Sequence, residues 1–175
     1  MDGVSTADSP DLPGPMRTLV IADYDPAWPR LFERETLAVR TAVPTIPHVE
    51  HVGSTAVPGL SATPTVDLLA GTADPSALDA DRLGALGYVE TALPEADRRF
   101  FWKGTEAFQT YHLHLVYLDG PLWRRFLAFR DRLRSDLALA ERYDHHKRQA
   151  LRRGNEGYAE AKASFIDGVL DGAGA

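Results

Sequence analysis

The stretch His48–Ala70, HVEHVGSTAVPGLSATPTVDLLA, decides how this chain is read. Residues 48–52 (HVEHV) predict a strand that runs into Gly53-Ser54. Pro58, Gly59 and Pro64 make residues 55–64 a structured loop rather than a helix interior. Residues 65–70 (TVDLLA) predict a second core strand, ending at Gly71. A glycine directly after a strand lets the backbone approach a phosphate closely, and Ser54 adds a hydroxyl and an N–H. If the two strands lie side by side, Asp67 comes close to that turn. A carboxylate beside a phosphate-binding turn is what a Mg²⁺–nucleotide site needs. The plainer alternative is a common turn followed by a structural aspartate, and on pattern alone the plainer reading wins.

Working outward, residues 17–22 (RTLVIA) predict a short strand, and Asp25-Pro26 opens a helix carrying Trp28, Leu31, Phe32, Leu37 and Val39, closed by Pro44 and Pro47. Asp74-Pro75 repeats this start for a helix to about Leu86, with Gly87 as its C-cap. Strands follow at 88–92 and 98–103, joined across Pro94–Asp97. Residues 110–118 (TYHLHLVYL) form the richest β-run of the chain. Beyond Asp119-Gly120-Pro121 the pattern turns helical, with helices expected at 121–135, 137–152 and 155–170. The reading is an α+β fold: a disordered leader over 1–16, a mixed-sheet domain over 17–120, and a C-terminal helical subdomain over 121–175 packed on it as one structural unit.

The chain has 175 residues, 44% of them apolar, which supports a real core and excludes disorder of the whole. It has no cysteine, which removes thiol nucleophiles, zinc ribbons and disulfide scaffolds. No stretch reads as a membrane span or a signal peptide, so a cytoplasmic location is expected. Residues 1–120 hold 8 basic and 17 acidic residues, and residues 121–175 hold 11 basic and 8 acidic ones. An acidic sheet domain argues against a broad nucleic-acid surface. Lysine is scarce: only Lys103, Lys147 and Lys162. Two of them recur in Tyr143…Lys147 and Tyr158…Lys162, which reads as amphipathic helices with Tyr at the core edge and Lys at its rim.

Several segments resemble one family. VIADYDPAWPRLFERE (20–35), VEHVGSTAVPGLSATPTVDLL (49–69), RRFFWK (98–103), HLHLV (112–116), LAFRDRLR (127–134) and YAEAKASFI (158–166) are similar, in order, to the GrpB-like domain family. The resemblance implies a nucleotidyltransferase-superfamily fold of the DNA polymerase β-like group. It also implies relatives fused to dephospho-CoA kinase. That superfamily's pattern is a Gly-Ser turn, two carboxylates one residue apart on a strand, and a third carboxylate on a later strand. Gly53-Ser54 matches the turn and Asp67 the first carboxylate. Leu69 stands at the second position. Residues i and i+2 of a strand share a face, so the loss of that ligand tells against a two-metal transfer.

At the third position, the strand over 110–118 carries His112 and His114. With Asp67 they suggest a two-histidine, one-carboxylate site for a transition metal, contacts to phosphate, or acid–base groups; Glu50 or His51 is a further candidate ligand. The candidate catalytic residues are thus Asp67, His112 and His114. The metal ligands are Asp67 and His114, for a divalent ion (Mg²⁺, Mn²⁺ or a transition metal). Gly53, Ser54, Arg99, Lys103 and Arg130 are the substrate-binding candidates; Arg99 and Lys103 share one face of their strand and match the family's Arg-Phe-x-Lys element. The plainer alternatives are charges on an edge strand and surface ion pairs. Three functions follow: a nucleotidyltransferase-like protein binding a nucleotide or other small phosphorylated ligand, a non-catalytic accessory module, and a metal-dependent hydrolase.

Overall fold

The computed structural model describes residues 19–93, 97–154 and 157–172. The elements run α1 (Trp28–Ala42), β1 (His48–Val52), β2 (Val66–Thr72), α2 (Ala80–Gly84), β3 (Tyr88–Thr91), β4 (Arg98–Gly104), β5 (Gln109–Tyr117), α3 (Pro121–Ser135), α4 (Leu137–Arg152) and α5 (Tyr158–Leu170). The expected leader over 1–16 lies outside the described residues, as do 94–96 and 155–156, on which the expected connection and the start of the last helix fall. No described helix is long and apolar enough to cross a membrane.

The five strands form one mixed sheet in the order β1-β2-β5-β4-β3. β2 and β5 are its parallel pair, and the other neighbours are antiparallel. This is the α+β class expected. Alternation along β2 sorts its side chains between two layers. Val66, Leu68 and Ala70 join Leu113, Leu115, Phe101 and Tyr88 in the core beneath α1. Leu69 faces the other way, with Val52 and Val116, and meets Trp123 of α3. A third cluster ties the loop after β1, through Val57 and Leu60, to Leu133, Leu139, Tyr143 and Val169 of the C-terminal helices.

Three expected elements differ. Within 17–22, the described residues make no strand, only a single bridge between Ala22 and Ala62. The helix expected after Asp74 is two short pieces, a 3₁₀ turn at Pro75–Ala77 and then α2. Asp74 accepts from the Ser76 N–H at 2.9 Å and Asp79 from the Asp81 N–H at 3.1 Å. Two such side-chain caps in succession start the helix twice. The first helix begins two residues after Pro26, at Trp28-Pro29, with Asp25 accepting from the Ala27 N–H at 2.8 Å.

β1 buries a titratable ring on the α1 side. His51 stacks on Phe32 with ring centroids 4.6 Å apart, and its Nε2 lies 3.0 Å from Thr55 Oγ1. Burial pushes its pKa down to about 4; Asp67 opposes this, while Arg134 and Arg130 add to it. A histidine neutral in the fold but protonated in the unfolded chain carries stability that is complete above pH 6.5 and lost as pH falls towards 4. The loss from this group is about 3 kcal/mol. Urea unfolding across that window should show it, and His51→Asn should flatten the pH profile there. An unchanged slope in the variant would contradict this account of His51.

Candidate functional site

The strand register brings the expected site together on one sheet face. Val52 pairs with Asp67 across β1 and β2. Asp67 pairs with His112, and Leu69 with His114, across β2 and β5. Asp67 Oδ1 lies 3.2 Å from His112 Nδ1 and 3.5 Å from His114 Nε2. On its far side His112 Nε2 lies 2.7 Å from Gln109 Oε1. His114 is wholly buried, with its ring between Phe100 and Phe126 at centroid distances of 5.2 and 5.0 Å.

The turn before Asp67 is built around its carboxylate. Gly53 has φ 72°, a left-handed conformation, and opens a 3₁₀ turn at Ser54–Ala56. A Cβ on Gly53 would collide with Asp67 Oδ2 and lie 2.9 Å from its Cγ. Only glycine admits both the backbone conformation and the approach. Burial alone would raise the Asp67 pKa, but hydrogen bonds from His112 and His114, and their charge, outweigh it and hold the carboxyl well below the usual range. Burial also pushes the His114 imidazole down to about 4, opposed by its contact with Asp67 and reinforced by the Arg98 charge. The charged imidazolium form of His114 is thus disfavoured.

Asp67 lines a cavity of about 70 Å³ that is open to solvent. Gly53, Ser54, Thr55, Thr63, Thr65 and His112 line it from the sheet side, and Phe126, Phe129, Leu133, Tyr143, Tyr158 and Ile166 supply its apolar wall. Four cations reach it from the helices: Arg125, Arg130, Lys147 and Lys162. Asp67 is the lone carboxylate among the described lining residues.

Lys147 is 1% exposed and donates to Ser54 Oγ at 3.2 Å and to the Ser61 carbonyl. Ser61 in turn donates to Asp144, and Arg134 Nε donates to the Ala56 carbonyl at 2.9 Å. Side chains of α3 and α4 thus clamp the loop that follows β1. The expectation that Lys147 sits at a helix rim is overturned: Tyr143 and Tyr158 are buried, and Lys147 is buried with them. The signal was present in the scarcity of lysine and in the repeated Tyr-x-x-x-Lys spacing.

Arg99 and Lys103 do not join this site. β4 pairs with β5 so that Phe100 faces His114 and Trp102 faces His112, which turns Arg99 and Lys103 to the α1 side. There Arg99 is held by Glu90 at 2.7 Å and by the Pro75 and Leu78 carbonyls, and Lys103 by Glu35 at 2.8 Å. They are structural ties, and Arg98 is the basic residue of β4 on the histidine face, buried with its guanidinium 5.9 Å from the Phe100 and Phe126 rings. Arg130 does reach the cavity, braced by Glu50 at 2.7 Å, by Asp131 at 2.8 Å and by the His51 carbonyl at 3.1 Å. Glu50 is engaged in that pair, and His51 lies on the other face, so neither adds a ligand beside Asp67.

The turn's two constraints can be separated. Gly59 also has positive φ, 81°, but a Cβ there meets nothing within 4 Å. Gly59→Ala should cost about 1–2 kcal/mol from backbone strain alone. Gly53→Ala should cost clearly more in urea unfolding, because it also displaces Asp67. Equal costs would refute the coupling of turn and carboxylate.

Comparisons with known proteins agree with this architecture. The chain is 39% identical to a UPF0157 protein of Pseudomonas aeruginosa over 159 residues, covering 83% of this chain and 64% of that protein's length. It is 32% identical to a UPF0157 protein of Halalkalibacterium halodurans, covering 90% and 84%. Among solved structures, the conserved protein GrpB from Enterococcus faecalis superposes with a TM-score of 0.71 at 27% identity, covering 86% of this chain and 99% of that one. The family model described as GrpB protein matches residues 18–171, and with the Gly53 turn, Asp67 and the histidine strand all inside that span, the chain belongs to the GrpB family.

Proposed function

We propose that the cavity binds a nucleotide or another small phosphorylated ligand, with a divalent ion beside Asp67. The observation that carries this reading is the charge arrangement: four cationic side chains and a single carboxylate line one cavity with an aromatic wall. Phosphate oxygens would meet Ser54 and its turn, with Arg130 and Lys162 as charge-assisted donors. A base or other flat group would lie against Phe126 and Phe129. The ion would be held by Asp67 with the histidines behind it, and when bound it would neutralise phosphate charge. The basic groups act locally, which suits a small ligand better than a nucleic-acid backbone.

Binding, rather than nucleotidyl transfer, is what Leu69 favours. The second carboxylate of a two-metal centre would stand there, and the position is filled by an aliphatic side chain packed among Val52, Val116 and Trp123. The protein then serves as a ligand-binding module, a role consistent with the kinase fusions implied by the sequence resemblance.

Calorimetry with ATP, GTP, CTP, UTP and dephospho-coenzyme A, each with Mg²⁺ or Mn²⁺, tests this. At least one should bind with a Kd of about 1 mM or tighter, a free energy of about −4 kcal/mol. Lys162→Met should weaken it about tenfold or more by removing a charged donor. No heat from any of these ligands with folded protein would overturn the proposal.

A further inference from the structure

We infer that Asp67, His112 and His114 form a site for a divalent transition-metal ion, not for Mg²⁺. The inference rests on the ion position proposed above and names the class of ion, but its test needs no nucleotide.

Three donor atoms, one from each residue, lie within 4.8 Å of one another. Two of the separations are 3.2 Å (His112 Nδ1 to Asp67 Oδ1) and 3.5 Å (His114 Nε2 to Asp67 Oδ1). The second is long for a hydrogen bond. Zinc-type ions bind nitrogen and oxygen at about 2.0–2.2 Å, so two donors on one ion stand about 3.0–3.5 Å apart. Both histidine nitrogens already stand at that spacing from Asp67.

The hydrogen-bond pattern points the same way. Gln109 Oε1 lies 2.7 Å from His112 Nε2 and accepts its proton. That leaves Nδ1 as the ring atom facing Asp67 Oδ1, at 3.2 Å. A proton on Nδ1 bonds the carboxylate there, and an ion ligated by both groups would take that proton's place. His114 Nδ1 is buried without a hydrogen-bond partner among the described residues, and the polar contact of this ring runs through Nε2 towards Asp67. Flanking Phe100 and Phe126 rings fix its direction.

The donor set then chooses the ion. Mg²⁺ favours oxygen ligands and retained water, whereas imidazole nitrogen suits zinc, iron, cobalt and nickel. Two nitrogens and one oxygen, with Leu69 where a further carboxylate would stand, make a poor magnesium site. Gln109 is a positioning residue: it touches no ion itself and sets the tautomer of His112, as outer partners of metal-bound histidines do.

The test uses the full chain, stripped with a chelator, dialysed and titrated with Co²⁺ alone while the visible ligand-field spectrum is recorded. One Co²⁺ per chain is expected, displaced by equimolar Zn²⁺ and retained in a large excess of Mg²⁺. His114→Ala and Asp67→Asn should weaken binding about 100-fold, and Gln109→Leu about tenfold. The exposed His145→Ala variant should bind as the unaltered protein does. Absence of a Co²⁺ spectrum with folded unaltered protein, ready displacement by Mg²⁺, or unchanged affinity in folded His114→Ala would overturn the inference. Nucleotide binding with Mg²⁺ but no Co²⁺ site would sink this inference and leave the ligand proposal standing; a Co²⁺ site with no nucleotide binding would do the reverse.

Discussion

The approach of the Asp67 carboxylate to the Gly53 backbone is the constraint on which the rest of the site depends. It requires a glycine in the left-handed region, and it requires β1 and β2 to be neighbours in a register that sets Val52 opposite Asp67. With Asp67 so placed, the parallel pairing of β2 with β5 puts His112 beside it and His114 two residues further along the same face. A one-residue slip in either pairing would send the carboxylate or both imidazoles into the opposite core. The hydrophobic sorting of Leu68 and Leu113 to the α1 side opposes that slip, so the packing of one layer holds the chemistry of the other.

The helical half completes the site rather than merely covering it. α3 supplies Arg125, Arg130 and the aromatic wall, α4 supplies Lys147, and α5 supplies Tyr158 and Lys162. Lys147 is taken out of water and bonded to Ser54 and the Ser61 carbonyl. A lysine that has surrendered its hydration needs such partners to be tolerated. It thereby fixes the loop that carries Gly53 and Ser54, and the cavity inherits a positive wall facing one negative group. The uneven charge of the sequence, acidic before residue 121 and basic after it, is the trace of this construction.

Much of this is legible in the sequence. Local patterns sufficed for β1, β5, α3 and α4, because alternation and helical spacing survive in a single sequence. The turn, Asp67 and the histidine pair are legible through the family resemblance, because on pattern alone the plainer reading wins. The face of Arg99 and Lys103 is not legible in the sequence because alternation splits a strand into two faces without saying which one meets its neighbour; the β4–β5 register decides it. The burial of Lys147 is not legible in the sequence because a lysine at helical spacing is ordinarily solvated, and only the tertiary packing of α4 against the β1 loop takes it inside. The helix after Asp74 was overextended because a second cap, Asp79, competes locally with continuation.

The central claim is that one carboxylate, two imidazoles and the cations lining the cavity make a single metal-and-phosphate site. A crystal soaked with Mn²⁺ and a nucleoside triphosphate, with anomalous scattering used to locate the ion, tests it most directly. The account predicts an anomalous peak ligated by Asp67 Oδ1, His112 Nδ1 and His114 Nε2, with the phosphates running from it towards Ser54 and the cations of the helices. A triphosphate bound elsewhere, with Asp67 still in direct contact with both histidines, would contradict it.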